Sequence, residues 1–374
     1  MSPAETFCNP TATPCANRGS RGGDAASREP PMGTGTTGLS GVRTMHVLAV
    51  CSALLVGCAT TGGVSTLGDV RRQSLVFDAG DKTSPTRWRS VTTDDFELMS
   101  DLAPADIEEA AQAIAQTLAG LKAMFGNAKV AKPGKVTVIA LADDMEFEHV
   151  FGRLIDGVAL PTEHGTTIFM YGKPYRWFRH PVLTQDAKTS VLLHELAHAV
   201  LRSYFPTQPR WFAEGLAQYL ETYRWVDAEN ITIGVVNYEA LAAYRGVRSL
   251  GVADLKKWGT GVGDEVRDVT NLGLYGASWA FVHWALNQDQ QRFGKYMYLL
   301  TQTTPDDAWK QTFEPIEADL DVAVHKYLRI GAYYAVNARV PKVALKRTRI
   351  NAVTEAGAVE VELLMHQLAE QRAN

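Results

Sequence analysis

The spacing of apolar residues changes character once along this chain. Between residues 87 and 185, short alternating runs flank one long helical pattern, and beyond residue 186 helical spacing takes over. In Arg87–Met99, Trp88, Val91, Phe96 and Leu98 predict one or two strands. Pro104–Phe125 places Ile107, Ala110, Ala111, Ile114, Leu118, Leu121 and Phe125 on one face, which predicts a helix opened near Asp101 or Pro104 and stopped by Gly126. Lys135–Leu141, bounded by Pro133-Gly134 and Asp143-Asp144, reads as a strand, Met145–Phe151 as a short helix, and Thr166–Tyr171 as another strand. Helices are then expected over Thr189–Tyr204, Pro209–Tyr223, Tyr238–Arg245, Tyr275–Leu286, Gln291–Thr301 and Ile316–Leu328, with a last one at Ala352–Ala373. No repeat of fixed period is present. Strands first and helices after predict an α+β fold: a small N-terminal mixed sheet-and-helix layer followed by a mostly helical subdomain.

The first 57 residues do not fit that pattern. Residues 1–44 are rich in Gly, Ser, Thr, Pro and Arg, with too little apolar content to offset the entropy of ordering. Val47–Gly57 is an apolar run too short to span a bilayer but of the length of a signal-peptide core. It ends in Leu55-Val56-Gly57-Cys58, which resembles the bacterial lipobox, whose cysteine is lipidated and becomes the mature terminus. The other reading is a buried apolar strand with an incidental cysteine. Only Arg43 supplies a positive flank, and Met32 or Met45 could serve as the start. The expected organisation is a leader and lipoprotein signal over 1–57, a lipid-anchored linker over 58–85, and an α/β subdomain over 86–185. A helical subdomain over 186–335 and a C-terminal extension over 336–374 complete it. Ala59 after the cysteine resembles proteins sorted to the outer membrane, so the expected location is the bacterial cell envelope, lipid-anchored through Cys58 on the periplasmic side.

Composition narrows this only by exclusion. A net charge of −4, from 37 Lys+Arg against 41 Asp+Glu, gives no basic face for nucleic acid. Four cysteines, all at or before Cys58 (Cys8, Cys15, Cys51, Cys58), cannot form a disulfide scaffold. No stretch reaches the roughly 18–20 continuous apolar residues of a spanning helix.

Chemistry concentrates at Val191-Leu-Leu-His194-Glu195-Leu-Ala-His198. On a helix, His194 and His198 lie one turn apart on one face, so both imidazoles can reach one ion, while Glu195 can reach a water on that ion without ligating. A lone histidine on an apolar helix is usually a hydrogen-bonded core residue; two at this spacing, buried with a glutamate, would be costly without a metal. A catalytic zinc needs a third protein ligand. After a short connection containing Pro206 and Pro209, the next helix reads Arg210-Trp-Phe-Ala-Glu214-Gly-Leu-Ala-Gln218-Tyr-Leu-Glu221. Glu214, near the positive end of that helix, is placed to stay ionised and ligate. Gln218 and Glu221 share its face, either as residues that orient the histidines or as a solvated polar stripe.

H-E-L-A-H followed by W-F-A-E-G-L-A-Q-Y-L-E resembles the gluzincin zinc metallopeptidases, over His194–Glu221. The resemblance implies His194, His198 and Glu214 as ligands of Zn²⁺ and Glu195 as the general base. The interval from His198 to Glu214 is shorter than in the large aminopeptidases and closer to the smaller bacterial peptidase-like domains. More weakly, the resemblance extends to Leu274–Val282, where Tyr275 maps onto a tyrosine whose hydroxyl supports the tetrahedral intermediate; the lysine-glycine pair that follows it in the family is absent. Otherwise Tyr275 is an aromatic core residue. In place of the aminopeptidases' Gly-x-Met-x-Asn strand, this chain has His164-Gly165-Thr-Thr-Ile-Phe-Met-Tyr171, expected to accept an extended peptide by edge addition. His149, His164, His180 and His283 have no ligand spacing and read as surface or packing residues.

The expected function is therefore zinc-dependent hydrolysis of a peptide or protein substrate at the cell envelope. The rival is a catalytically inactive envelope lipoprotein that uses a peptidase-like fold as a scaffold, and a zinc hydrolase acting on another bond is a third reading.

Overall fold

The computed structural model describes residues 87–125, 135–152, 155–162, 165–179, 189–227, 229–247, 250–259, 269–340 and 349–373. The leader, Cys58, the linker, His164 and His180 lie outside these residues.

The chain begins with β1 (Arg89–Thr92) and β2 (Phe96–Ser100), an antiparallel pair, and then α1 (Pro104–Phe125). In α1, Ile107, Ala110, Ala111, Ile114, Leu118 and Leu121 are buried at steps of three and four, as the apolar spacing predicts. Next come β3 (Val136–Leu141), α2 (Asp144–Phe151), β4 (Gly157–Thr162) and β5 (Gly165–Tyr171). β2, β3 and β5 run parallel, and β4 returns antiparallel along β5. The alternation is weak in β3 and β5 because both lie inside the sheet and are covered on both faces.

β6 (Phe178–Arg179) and β7 (Thr189–Ser190) form a small pair that leads into α3 (Val191–Tyr204) and α4 (Arg210–Leu220). Two short strands follow, β8 (Arg224–Trp225) and β9 (Asn230–Ile233). The chain is then helical: α5 (Tyr238–Gly246), α6 (Val252–Lys257), α7 (Val269–Gln288), α8 (Gln290–Leu300), α9 (Pro305–Lys310) and α10 (Glu317–Ile330). It closes with β10 (Val336–Arg339), β11 (Asn351–Ala352) and α11 (Glu355–Ala373). The fold is α+β: a mixed six-stranded sheet in the order β11-β1-β2-β3-β5-β4 with helices, followed by a mainly helical region. Among the described residues no helix is long and apolar enough to cross a membrane.

Three features depart from the sequence pattern. The second half is not wholly helical, since β10, β9 and β8 form a three-stranded sheet. The strand expected to accept a peptide at its edge, Thr166–Tyr171, is internal, flanked by β3 and β4. The edge belongs to β4, which the pattern did not reveal; its Pro161 is tolerated because an edge strand can spare a backbone donor. Finally, the C-terminal residues rejoin the first sheet: β11 pairs with β1, and α11 packs against α2.

α7 is the axis of the helical region. Trp279, Ala280, Phe281, Val282 and Ala285 are buried, and the helix packs against α4 and α5. The contact with α4 is backbone-close at Gly215, where an added Cβ would lie 2.6 Å from the Ser278 carbonyl oxygen. Backbone cannot yield there as a flexible side chain could. Gly215→Ala is expected to destabilise the protein by about 1–3 kcal/mol, an overpacking cost, and to lower its affinity for a metal at the adjoining Glu214. Denaturant unfolding and metal titration of the variant measure both effects.

Candidate metal centre

α3 starts at Ser190, whose side chain caps the helix by accepting from the Leu193 amide at 3.1 Å. Its apolar face (Leu192, Leu193, Leu196, Ala197, Val200, Leu201) is buried, which fixes how the opposite stripe points. His194 and His198 lie on that stripe, half-buried. α4 is held by Trp211, which sits against Phe281 at 5.1 Å and Tyr296 at 5.4 Å between ring centroids. That anchor turns Glu214 towards α3.

The three side chains converge. His198 Nε2 lies 3.1 Å from His194 Nε2, and Glu214 Oε2 lies 3.5 Å from the first histidine's Nε2 and 3.4 Å from the second's. A tetrahedral ion with bonds of about 2.0–2.1 Å requires ligand atoms roughly 3.3–3.4 Å apart. The observed triangle fits that requirement, and nitrogen, nitrogen and carboxylate oxygen are a donor set suited to a transition-metal ion such as zinc, iron, copper or nickel. His194, His198 and Glu214 could therefore hold a metal ion.

Electrostatics agree with the geometry. Burial alone would push the Glu214 carboxyl up, but the His198 charge and hydrogen bonds from both histidines outweigh it and hold Glu214 well below the usual carboxylate range. Burial likewise pushes His194 down, and hydrogen bonds to Glu214 and Glu221 reverse that and raise it well above its ordinary value. The carboxylates around His194 thus favour a positive charge at this point, which either a proton or a cation supplies.

Glu221 stands behind the first histidine. Its Oε2 lies 2.6 Å from His194 Nδ1, the arrangement that leaves Nε2 free to ligate. Its other oxygen accepts a hydrogen bond from Asn237 Nδ2 at 2.6 Å. Asn237 also caps α5, accepting from the Glu239 and Ala240 amides, so one residue ties the helix start to the ligand support. Sequence reading missed Asn237. The signal available was its position just before a helix, which discloses a cap but not a tertiary partner. Asn237→Ala is expected to weaken metal binding by about 10–100-fold while retaining the fold, measured by competitive titration with a chelating dye.

Gln218 is buried on α4, but among the described residues it makes no hydrogen bond to either histidine. Glu195 is 7% exposed, and burial pushes its carboxyl up, an effect that the charges of His194 and His198 partly offset. Among the described residues no hydrogen bond or ion pair engages its carboxylate. Gly157, the first residue of β4, lies against it: a Cβ there would meet Glu195 Cγ at 2.9 Å. Tyr275 is half-buried near the start of α7, and its hydroxyl accepts from Arg210 Nη2 at 3.2 Å. Arg210 is one helical turn before Glu214 on α4, so Tyr275 is linked to the ligand helix through it. His283, as expected, is a packing residue, hydrogen-bonded to the Tyr327 hydroxyl at 2.8 Å and the Gly234 carbonyl at 3.1 Å.

Residues 189–307 match the family model described as protein of unknown function (DUF1570). The matched span begins at β7 and contains the three possible ligands, Glu195, Glu221, Asn237 and Tyr275, while the six-stranded sheet lies outside it. No curated protein matches the chain.

Proposed function

We propose that this protein is a zinc-dependent metallopeptidase that works at the bacterial cell envelope, anchored by lipid at Cys58. The observation that carries the reading is the triangle of His194 Nε2, His198 Nε2 and Glu214 Oε2, with edges of 3.1, 3.5 and 3.4 Å, beside a buried carboxylate that no donor among the described residues occupies. His194, His198 and Glu214 would hold a zinc ion, which would supply an acidified water and a polarised carbonyl. Glu195 then takes the proton of the attacking water and hands it to the departing amine, a role suited to a carboxyl whose proton affinity burial has raised. Tyr275, with Arg210 against its hydroxyl, donates a hydrogen bond to the developing oxyanion. Glu221 and Asn237 keep His194 in its ligating tautomer. The substrate strand pairs along β4, the outer strand of the sheet among the described residues, whose first residue lies against Glu195.

A non-enzymatic scaffold would have no use for an unengaged buried Glu195, which counts against that reading. The deciding experiment is cleavage of a diverse peptide library by the zinc-loaded chain alongside its Glu195→Gln variant. Cleavage by the wild type alone supports the proposal. Cleavage by neither, at full zinc occupancy, removes it.

A further inference from the structure

Among the described residues Arg210 has no counter-ion, although its side chain is half-buried. Its guanidinium carbon lies 4.4 Å from the centre of the Trp258 ring, and Nη2 donates to Tyr275 Oη. Nη1 is fully buried and has no acceptor among the described residues. Trp258 is 8% exposed, and its indole Nε1 is also buried, without an acceptor among the described residues. The Trp258 and Tyr275 rings meet edge-on at 4.9 Å, so the three side chains form one cluster. Two buried donors on touching side chains, one of them charged, are costly unless a ligand acceptor meets them. An oxyanion supplies both the acceptor atoms and the missing negative charge, and the planar guanidinium fork suits a carboxylate.

Arg210 is one turn from Glu214 on the same helix, and a turn advances 5.4 Å. An extended peptide advances about 3.3–3.6 Å per residue. A carboxylate at Arg210 therefore belongs to a residue roughly one or two positions from the bond presented at the metal.

We infer that Arg210 and Trp258 form a subsite for a carboxylate of the substrate, either its C-terminal carboxylate or an Asp or Glu side chain, adjoining the metal centre. The inference rests on the peptidase reading above for the identity of the ligand, but its test does not depend on turnover. It explains a charge that no carboxylate among the described residues balances, and it gives the site a preference that zinc ligands cannot provide.

The test uses the zinc-loaded full chain carrying Glu195→Gln and three fluorescein-labelled alanine hexapeptides: a free C-terminal acid, its amide, and an amide with aspartate near the C-terminus. Fluorescence anisotropy is expected to show either the acid or the aspartate peptide bound about 10–100-fold more tightly than the plain amide, and which one wins names the source of the carboxylate. Adding Arg210→Gln should abolish the preference. Trp258→Phe, which keeps an aromatic ring beside Arg210 but loses the indole N–H with its five-membered ring, should reduce it several-fold and guards against misfolding of the arginine variant. Equal binding of all three peptides, or a preference unchanged in both variants, overturns the inference. In the turnover arm, wild type that cleaves no peptide while its Glu195→Gln form keeps the binding preference sinks the peptidase reading and leaves the subsite standing.

Discussion

Glu195→Gln is expected to leave metal content unchanged and to reduce peptide hydrolysis by about 10²–10⁴-fold, the usual contribution of a positioned general base. Glutamine has the same length and fills the same space against Gly157, where the packing is already close. It cannot accept a proton. Glu195 also lies outside the triangle of ligand atoms, so its loss should not empty the site. Metal analysis and steady-state turnover on one preparation separate the two roles. A variant that keeps its zinc and most of its activity would show that proton transfer runs through another group.

Glu214→Ala should have the opposite signature. It removes one vertex of the triangle and leaves His194 and His198 with their Nε2 atoms 3.1 Å apart and no anionic ligand between them. Affinity should fall by well over the roughly 10–100-fold that loss of a supporting residue costs. Thermal unfolding reads this without any substrate. A ligand present at 100 times its dissociation constant stabilises by about 2.7 kcal/mol. For a domain of 150–250 residues, that corresponds to roughly 5–10 °C in Tm. Zinc should raise the wild-type midpoint by an amount of this order and leave Glu214→Ala unmoved. An equal rise in both would place the metal elsewhere.

The site was legible in the sequence where it is local. The His194/His198 spacing needs only a helix, and Glu214 needs only a second helix a short connection away. Glu221 could be placed on the right face but not joined to His194, because that contact crosses between helices at positions 27 apart. Asn237, Arg210, Trp258 and Gly157 were invisible as site residues because each acts through a tertiary neighbour. In the fold, α1 could be read from its unbroken period of buried positions over five turns. β8, β9 and β10 could not, since strands of two to four residues carry too few alternations to register. β4 was masked by Gly157 and Pro161, and with it went the knowledge that β5 is internal.

The return of the C-terminal residues to the first sheet has a consequence for how the molecule is made. Trp88 Nε1 meets Glu362 across 274 positions, and the Val353 amide donates to the Trp88 carbonyl at 3.2 Å. During synthesis, α3 and α4 are complete long before β11 and α11 exist. The nascent chain therefore passes through an interval in which the helices carrying His194, His198 and Glu214 are formed but β1 is still an open edge, the geometry that invites pairing with other chains. Closure waits for contacts of the longest kind, which form slowly. This makes the segment from β11 to the end of α11 a latch on the sheet. A chain cut before β11 would be expected to retain the site's sequence and still fail by aggregation.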